Sequence, residues 1–221
     1  MEPYIELEDV SFAYNKDIPV IQGLSLKLFK EQFTAITGPN GSGKTTLGKI
    51  MTGILRPQKG CVRICGSDSA GMKLGEIGRR VGYLFQNPAL QIFAPSVREE
   101  VSFALELKGH SSEEIGRRVD EVLRDLEISH LQDALPFKLS RGEKQRLAIA
   151  AVLVNKPGFL ILDEPTTGLD MERRRVLSDM LRDLKQKGIG MAVISHDRAF
   201  IDHLADREVR MHGGEIVEDR T

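Results

Sequence analysis

The stretch "FTAITGPNGSGKTTLGKIM", Phe33 to Met51, decides the fold. It opens as an apolar strand, turns through glycines and continues with helical periodicity. Within it, "GPNGSGKTT", Gly38 to Thr46, fits G-x-x-x-x-G-K-[ST] at Gly38, Gly43, Lys44 and Thr45. The glycines let the backbone approach phosphate oxygens and turn N–H groups toward them. The helix that follows presents its positive end to the same point. Asn40, Gly41, Ser42, Gly43, Lys44, Thr45 and Thr46 are therefore expected to bind a nucleotide. Lys44 is expected to reach the β- and γ-phosphates, and Thr45 to ligate Mg²⁺. A glycine-rich loop that binds nothing is the alternative, and the strand before and helix after argue against it.

A second Mg²⁺ element is "FLILDEP", Phe159 to Pro165. Its apolar run places Asp163 at the C-terminal end of a buried strand, the end that faces the ligand in a doubly wound sheet. Asp163 is expected to hold Mg²⁺, directly or through water. Glu164 follows and can polarise an attacking water as general base. An acidic pair after a strand could also cap the next helix; the phosphate loop upstream favours the functional reading.

Outward from these two points the chain alternates. "YIELEDVSFAY" and "LSLKLF" read as β at the start, and "CVRICG" and "VGYLF" as further strands. From about Asn87 to Leu139 the character changes to charged, amphipathic helices, "SVREEVSFALELKG" and "SSEEIGRRVDEVLRDLEI". In the second, Ser111 or Ser112 ahead of Glu113 and Glu114 marks a helix start. A helix at about 140–155 then leads to "FLILD", the helix "MERRRVLSDMLRDLKQKG", the strand "MAVIS", a short helix near "DRAFIDHLA" and a β pair around "REVRMHGGEIVE". The pattern predicts an α/β core with a helical insertion, its strands apolar enough for a parallel sheet covered on both faces.

The 221 residues suit one domain, 1–221, with a helical subdomain at about 88–155. Lys plus Arg is 31 against 32 for Asp plus Glu, which gives no basic surplus for nucleic acid. The longest apolar run, "LAIAAVLV" (Leu147 to Val154), falls far short of the roughly 20 residues a bilayer span needs. "MEPYIELEDV" lacks the apolar core of a signal peptide, so a cytosolic or peripheral protein is expected. Cys61 and Cys65, if both lie on a strand, share a face about 13 Å apart at ~3.3 Å per residue. That is too far for a disulfide, and both are expected to be reduced.

At this point the chain resembles the nucleotide-binding subunits of ABC transporters. "GPNGSGKT", "LFQNP", "LSRGEKQR", "LILDEPTTGLD" and "ISHD" arrive in that family's order, and the resemblance covers essentially the whole chain. It implies a P-loop NTPase (RecA-like) core, an N-terminal antiparallel β subdomain and the inserted helical subdomain. It implies ATP and Mg²⁺, and a second ABC ATPase subunit as partner. Tyr14 would stack on adenine. Gln86 would touch Mg²⁺ and the attacking water. Asp170 would lie at the dimer interface, and His196 would contact the γ-phosphate. His110, His130, His203 and His212 have no such context.

"LFQNPALQIFAPSVREEVSFA", Leu84 to Ala104, is similar more narrowly to the ATPases of energy-coupling factor importers for cobalt or vitamins. Gln91 would be that group's second glutamine, and Phe93 its apolar neighbour. Residues 86–104 would then meet an integral membrane subunit, and Ala89, Leu90, Ile92 and Phe93 would be a docking surface rather than subdomain packing. An extra C-terminal pairing segment, present in many members, is not expected here, which leaves other ABC importer subfamilies open. Together these features imply an ATPase at the cytoplasmic face of a membrane. A weakly catalytic regulatory partner in a heterodimer is the alternative.

One motif departs from the family. The usual Leu-Ser-Gly-Gly-Gln is Leu-Ser-Arg-Gly-Glu here, with Arg141 and Glu143 at the changed positions. In this family that motif faces the γ-phosphate of ATP held by the partner. Ser140 and Gly142, the groups that matter, are kept. Ser140 and Glu143 also form S-x-x-E, a capping box in which Glu and Gln serve alike. Glu143 should repel phosphate, and Arg141 is expected to offset it.

Overall fold

A computed structural model describes residues 2–15 and 18–221. The chain runs β1 (Ile5–Asn15), β2 (Ile18–Leu28), β3 (Phe33–Thr37), α1 (Lys44–Met51), β4 (Lys59–Ile64), β5 (Ser67–Asp68), α2 (Leu74–Arg80) and β6 (Val81–Leu84). It continues through α3 (Val97–Glu106), α4 (Ser112–Asp125), α5 (Arg141–Leu153), β7 (Phe159–Asp163), α6 (Met171–Gln186), β8 (Gly190–Ile194), α7 (Arg198–Leu204), β9 (Arg207–His212) and β10 (Glu215–Arg220).

Two sheets result, ordered β2-β1-β4-β5 and β10-β9-β3-β8-β7-β6. In the first, β1 pairs antiparallel with both β2 and β4. In the second, β9, β3, β8, β7 and β6 run parallel, and β10 closes the edge antiparallel to β9. Every residue of β3, β6, β7 and β8 is buried, as a parallel sheet covered on both faces requires. Side-chain alternation then divides the core in two. Phe159 and Ile161 of β7 point to a cluster with the antiparallel sheet and with Leu47, Ile50 and Met51 of α1. Leu160 and Leu162 point to the opposite cluster, built with α3, α4, α5 and α6. The core helix α1 is therefore sandwiched between two sheets, which fixes the phosphate loop at its start.

Register gathers the expected site residues at one edge. Leu84 lies opposite Leu162, Asp163 opposite Ile194, and Ile36 also opposite Ile194. Gln86, Asp163, Glu164, His196 and the loop after β3 thus all leave the sheet at its carboxyl end, where open α/β sheets bind ligands.

Three features differ from the sequence expectations or go beyond them. Helix α2 was not foreseen, because only Ile77 of its residues is buried and one apolar position carries no periodicity. Strand β9 does more than form a terminal pair, since it lies beside β3 and extends the parallel sheet. Cys65 lies beyond β4 at φ +50, so the two thiols do not share a strand; both are free.

Candidate functional site

The phosphate loop has the backbone its glycines were expected to permit. Gly38, Gly41 and Gly43 have φ of +137, +79 and +98, a region L side chains rarely adopt. A Cβ on Gly38 would lie 2.1 Å from the Met211 carbonyl oxygen, and one on Gly43 2.8 Å from that of Val20. The loop is therefore pressed between β2 and β9. Lys44 is buried, and its ammonium donates to the carbonyls of Gly38 (2.8 Å) and Pro39 (2.9 Å). Ser42 and Thr46 are buried, Thr45 is half-buried, and Asn40 and Gly41 are exposed. Tyr14 is exposed beside the loop, its hydroxyl 3.3 Å from Thr46 Oγ1.

Asp163 lies next to Thr45 in space. It is almost inaccessible, at 1 % exposure, and both carboxylate oxygens are held. Thr45 Oγ1 donates to Oδ1 at 3.1 Å, and Tyr83 Oη donates to Oδ2 at 2.9 Å. Burial pushes the Asp163 carboxyl up from its ordinary range, while the two hydroxyls pull it back. Burial, with the Asp163 charge beside it, pushes the Tyr83 phenol up as well, so it stays a donor. Tyr83 was not singled out in the sequence, where it reads as one more apolar residue of "VGYLF".

Glu164 follows with φ +48, a left-handed backbone that turns its side chain off the strand line. Its N–H donates to the Ile194 carbonyl at 2.8 Å. The carboxylate is buried, and Oε2 has no aligned hydrogen bond although His196 Nδ1 lies 2.9 Å away. Glu164 and His196 are thus brought together. Gln86 is exposed just past β6, and no hydrogen bond ties it to a described residue. Gln145 of α5 donates to the Pro165 carbonyl, locking the helix to the loop after Glu164.

The start of α5 realises the expected capping box. The Ser140 N–H donates to Glu143 Oε2 at 2.7 Å, and the Glu143 N–H donates to Ser140 Oγ at 3.4 Å. The bonds from Ser140 hold the Glu143 carboxyl below its ordinary range. Arg141 does not turn toward Glu143. Its guanidinium lies over Gly168, where an added Cβ would come within 2.1 Å of Nη1. No ion pair among the described residues joins Arg141 to Glu143. The structure thus gives no support to offset by direct pairing. Gln serves the box as Glu does, so Glu143→Gln should leave the free energy of unfolding, read by urea denaturation, unchanged within about 0.5 kcal/mol. For the same reason Glu143→Gln should not restore ATPase activity lost in Arg141→Gly; a steady-state assay of the single and double variants checks this. Asp170 caps α6, its carboxylate accepting the Arg173 N–H at 2.9 Å.

The segment after Gln86 is divided in its exposure. Leu90 and Phe93 are 79 % and 66 % exposed, whereas Ile92 packs against the helical core. Phe93 meets Phe103 edge-on, ring centroids 4.7 Å apart, and Leu107 is exposed on the same helical segment. The amide of Gln91 bridges the backbone of β6, accepting from the Phe85 N–H at 2.8 Å and donating to the Tyr83 carbonyl at 3.0 Å. Buried Glu100 accepts the N–H groups of Phe93 and Ala94 at 2.9 and 2.7 Å. The bridging roles of Gln91 and Glu100 are not visible in the sequence, since each depends on how the loop folds back.

Residues 21–167 match the family model described as ABC transporter. The chain belongs to the ABC transporter family. It is an ATP-binding cassette with ATPase chemistry, the subunit of a transporter that binds and hydrolyses ATP. A putative ABC transporter ATP-binding protein of Pyrococcus furiosus is 40 % identical over 212 residues, 96 % of this chain and 81 % of that protein. The energy-coupling factor transporter ATP-binding protein EcfA of Methanothermobacter thermautotrophicus is 39 % identical over 98 % of this chain and 70 % of its own. Among solved structures, CbiO1 from Clostridium perfringens, part of the ABC transporter complex CbiONQ, superposes with a TM-score of 0.91. The two share 31 % identity over 100 % of this chain and 89 % of CbiO1. The ATP-binding cassette MJ0796, dimeric in a post-hydrolysis state with ADP and Pi, gives 0.87 at 26 % identity over 98 % of each chain. No helix among the described residues is long and apolar enough to cross a membrane.

Proposed function

We propose that this ABC ATPase powers an importer of the energy-coupling factor type, for a metal ion or a vitamin. The observation that carries this reading is the exposure of Leu90 and Phe93 soon after Gln86, with exposed Phe103 edge-on against Phe93 and exposed Leu107 one helical turn further on. A monomeric soluble protein gains nothing by exposing such a cluster, and an integral membrane subunit would cover it. The likeness to EcfA and CbiO1 supports the same subfamily. The protein would then sit peripherally on the cytoplasmic face, docked through residues 86–104, as one domain with its helical subdomain at about 88–155.

In this reading Lys44 leaves its carbonyl partners to meet the β- and γ-phosphates, and the backbone from Asn40 to Thr46 cradles them. Tyr14, exposed above the loop, stacks on the adenine. The donor set fits Mg²⁺. Thr45 and Asp163 offer hard oxygens 3.1 Å apart, and a cation beside them would offset the desolvation of so deeply buried a carboxylate. Among the described residues no cluster of His, Cys, Asp or Glu forms a complete metal cage, which suits an ion held in part by phosphate and water. Thr45 and Asp163 would hold it, with Gln86 joining from the loop after β6; bound there, Mg²⁺ would neutralise charge on the phosphates. Glu164 takes the proton of the attacking water through Oε2, which has no aligned hydrogen bond, and His196 turns from it to steady the γ-phosphate. Ser140 and Gly142 complete the site of a second ATPase subunit, with Asp170 at the shared face.

Tagged protein purified from solubilised membranes tests this. An integral membrane subunit and a second ATPase should come with it, and a partner set without any membrane protein would overturn the reading. Phe93→Asp should abolish recovery of the membrane subunit in the same preparation while leaving ATP affinity intact.

A further inference from the structure

Asp163 is the buried end of a chain of contacts that starts in the docking segment. Its Oδ2 accepts from Tyr83 Oη at 2.9 Å. Three elements fix that phenol. Phe85 packs edge-on against the ring, centroids 4.9 Å apart. On α1, Gly48 leaves room for the ring, since a Cβ there would meet Tyr83 Cε2 at 3.0 Å. The backbone on either side is pinned by Gln91, whose amide bonds the Tyr83 carbonyl and the Phe85 N–H. Gln91 stands between exposed Leu90 and half-buried Ile92, with exposed Phe93 two residues on.

A carboxylate held by one hydroxyl can still rotate about its last bond. Held by two, it presents a fixed oxygen. We propose that Tyr83 and Gln91 form a positioning unit that sets the Asp163 carboxylate for the nucleotide-bound metal and ties its orientation to the docking segment. This inference rests on the reading of Thr45 and Asp163 as the Mg²⁺-holding pair. Partners that orient a ligating side chain typically contribute 10–100-fold in metal affinity.

The test is Mn²⁺ binding to the purified full chain with excess ATP, read by electron paramagnetic resonance. Tyr83→Phe should weaken Mn²⁺ binding about tenfold while metal-free ATP affinity changes little; its metal-free melting temperature should fall, because buried Asp163 Oδ2 loses its donor. Gln91→Ala should shift Mn²⁺ affinity the same way, and the double variant should be no weaker than Tyr83→Phe alone. Wild-type Mn²⁺ affinity in Tyr83→Phe overturns the inference. Additive losses in the double variant overturn the link through Gln91. If Tyr83→Phe folds poorly, Gln91→Ala, which leaves the ring in place, carries the test, and unchanged Mn²⁺ affinity there counts against it. Asp163→Asn separates the two levels. If it binds Mn²⁺ as wild type does, the underlying metal-site reading fails. If only it weakens binding, the positioning unit alone fails.

Discussion

Glu164→Gln is expected to bind ATP normally, to hydrolyse it about 10²–10⁴-fold more slowly, and to accumulate as a closed dimer. The substitution is close to isosteric, and Gln tolerates the φ of +48 as Glu does. The fold, the bond from the residue 164 N–H to Ile194 and the approach to His196 are all retained. What is lost is a carboxylate whose Oε2 is buried without an aligned partner. Its close polar neighbour, His196 Nδ1 at 2.9 Å, is out of line for a hydrogen bond, which on the proposed reading leaves the oxygen able to receive a proton. With hydrolysis blocked, ATP continues to hold two subunits together. Gel filtration with ATP should therefore show a dimer that wild type forms only transiently. Turnover at the wild-type rate would remove Glu164 from the role of base.

Gly38→Ala is expected to destabilise the fold by about 2–6 kcal/mol and to abolish ATP binding. Two costs combine. The new Cβ would stand 2.1 Å from the Met211 carbonyl oxygen, an overlap that forces β9 or the loop to move, at about 1–3 kcal/mol. The φ of +137 adds backbone strain of about 1–3 kcal/mol. Any shift of the loop also misdirects its N–H groups. Urea denaturation and equilibrium ATP binding check both parts. Gly41→Ala is the informative contrast, because nothing lies within 4 Å of its added Cβ. It should carry the strain and not the collision.

The features that were legible in the sequence are those whose cause is local. The phosphate loop could be read because strand, glycines, lysine and helix are contiguous. The α5 start could be read because Ser140 and Glu143 are one turn apart and bond each other. Asp163 and Glu164 were visible for the same reason, at the end of an uninterrupted apolar strand. The rest depends on partners that meet only after folding. Tyr83 reaches Asp163 across 80 positions, through the pairing of β6 with β7. Arg141 looked like a counter-charge for Glu143 because the two are neighbours in sequence. In space the helix cap claims Glu143, and the guanidinium settles on Gly168 instead. Exposure was legible residue by residue only in part. Within "ALQIF" nothing marks Ile92 as the one that turns inward, since all its apolar neighbours look alike.

The phosphate loop leans on residues that are made long after it. The Met211 carbonyl faces Gly38, and the Gly214 N–H donates to the Ser42 carbonyl at 3.2 Å. During synthesis at about 5–20 residues per second, residue 38 waits roughly 10–35 s for residue 211. Through that interval the ribosome carries a chain with every letter of "GPNGSGKT" and only the β2 side of the wall that shapes it. The loop's final shape is thus completed late, only when β9 and the turn after it have joined the sheet.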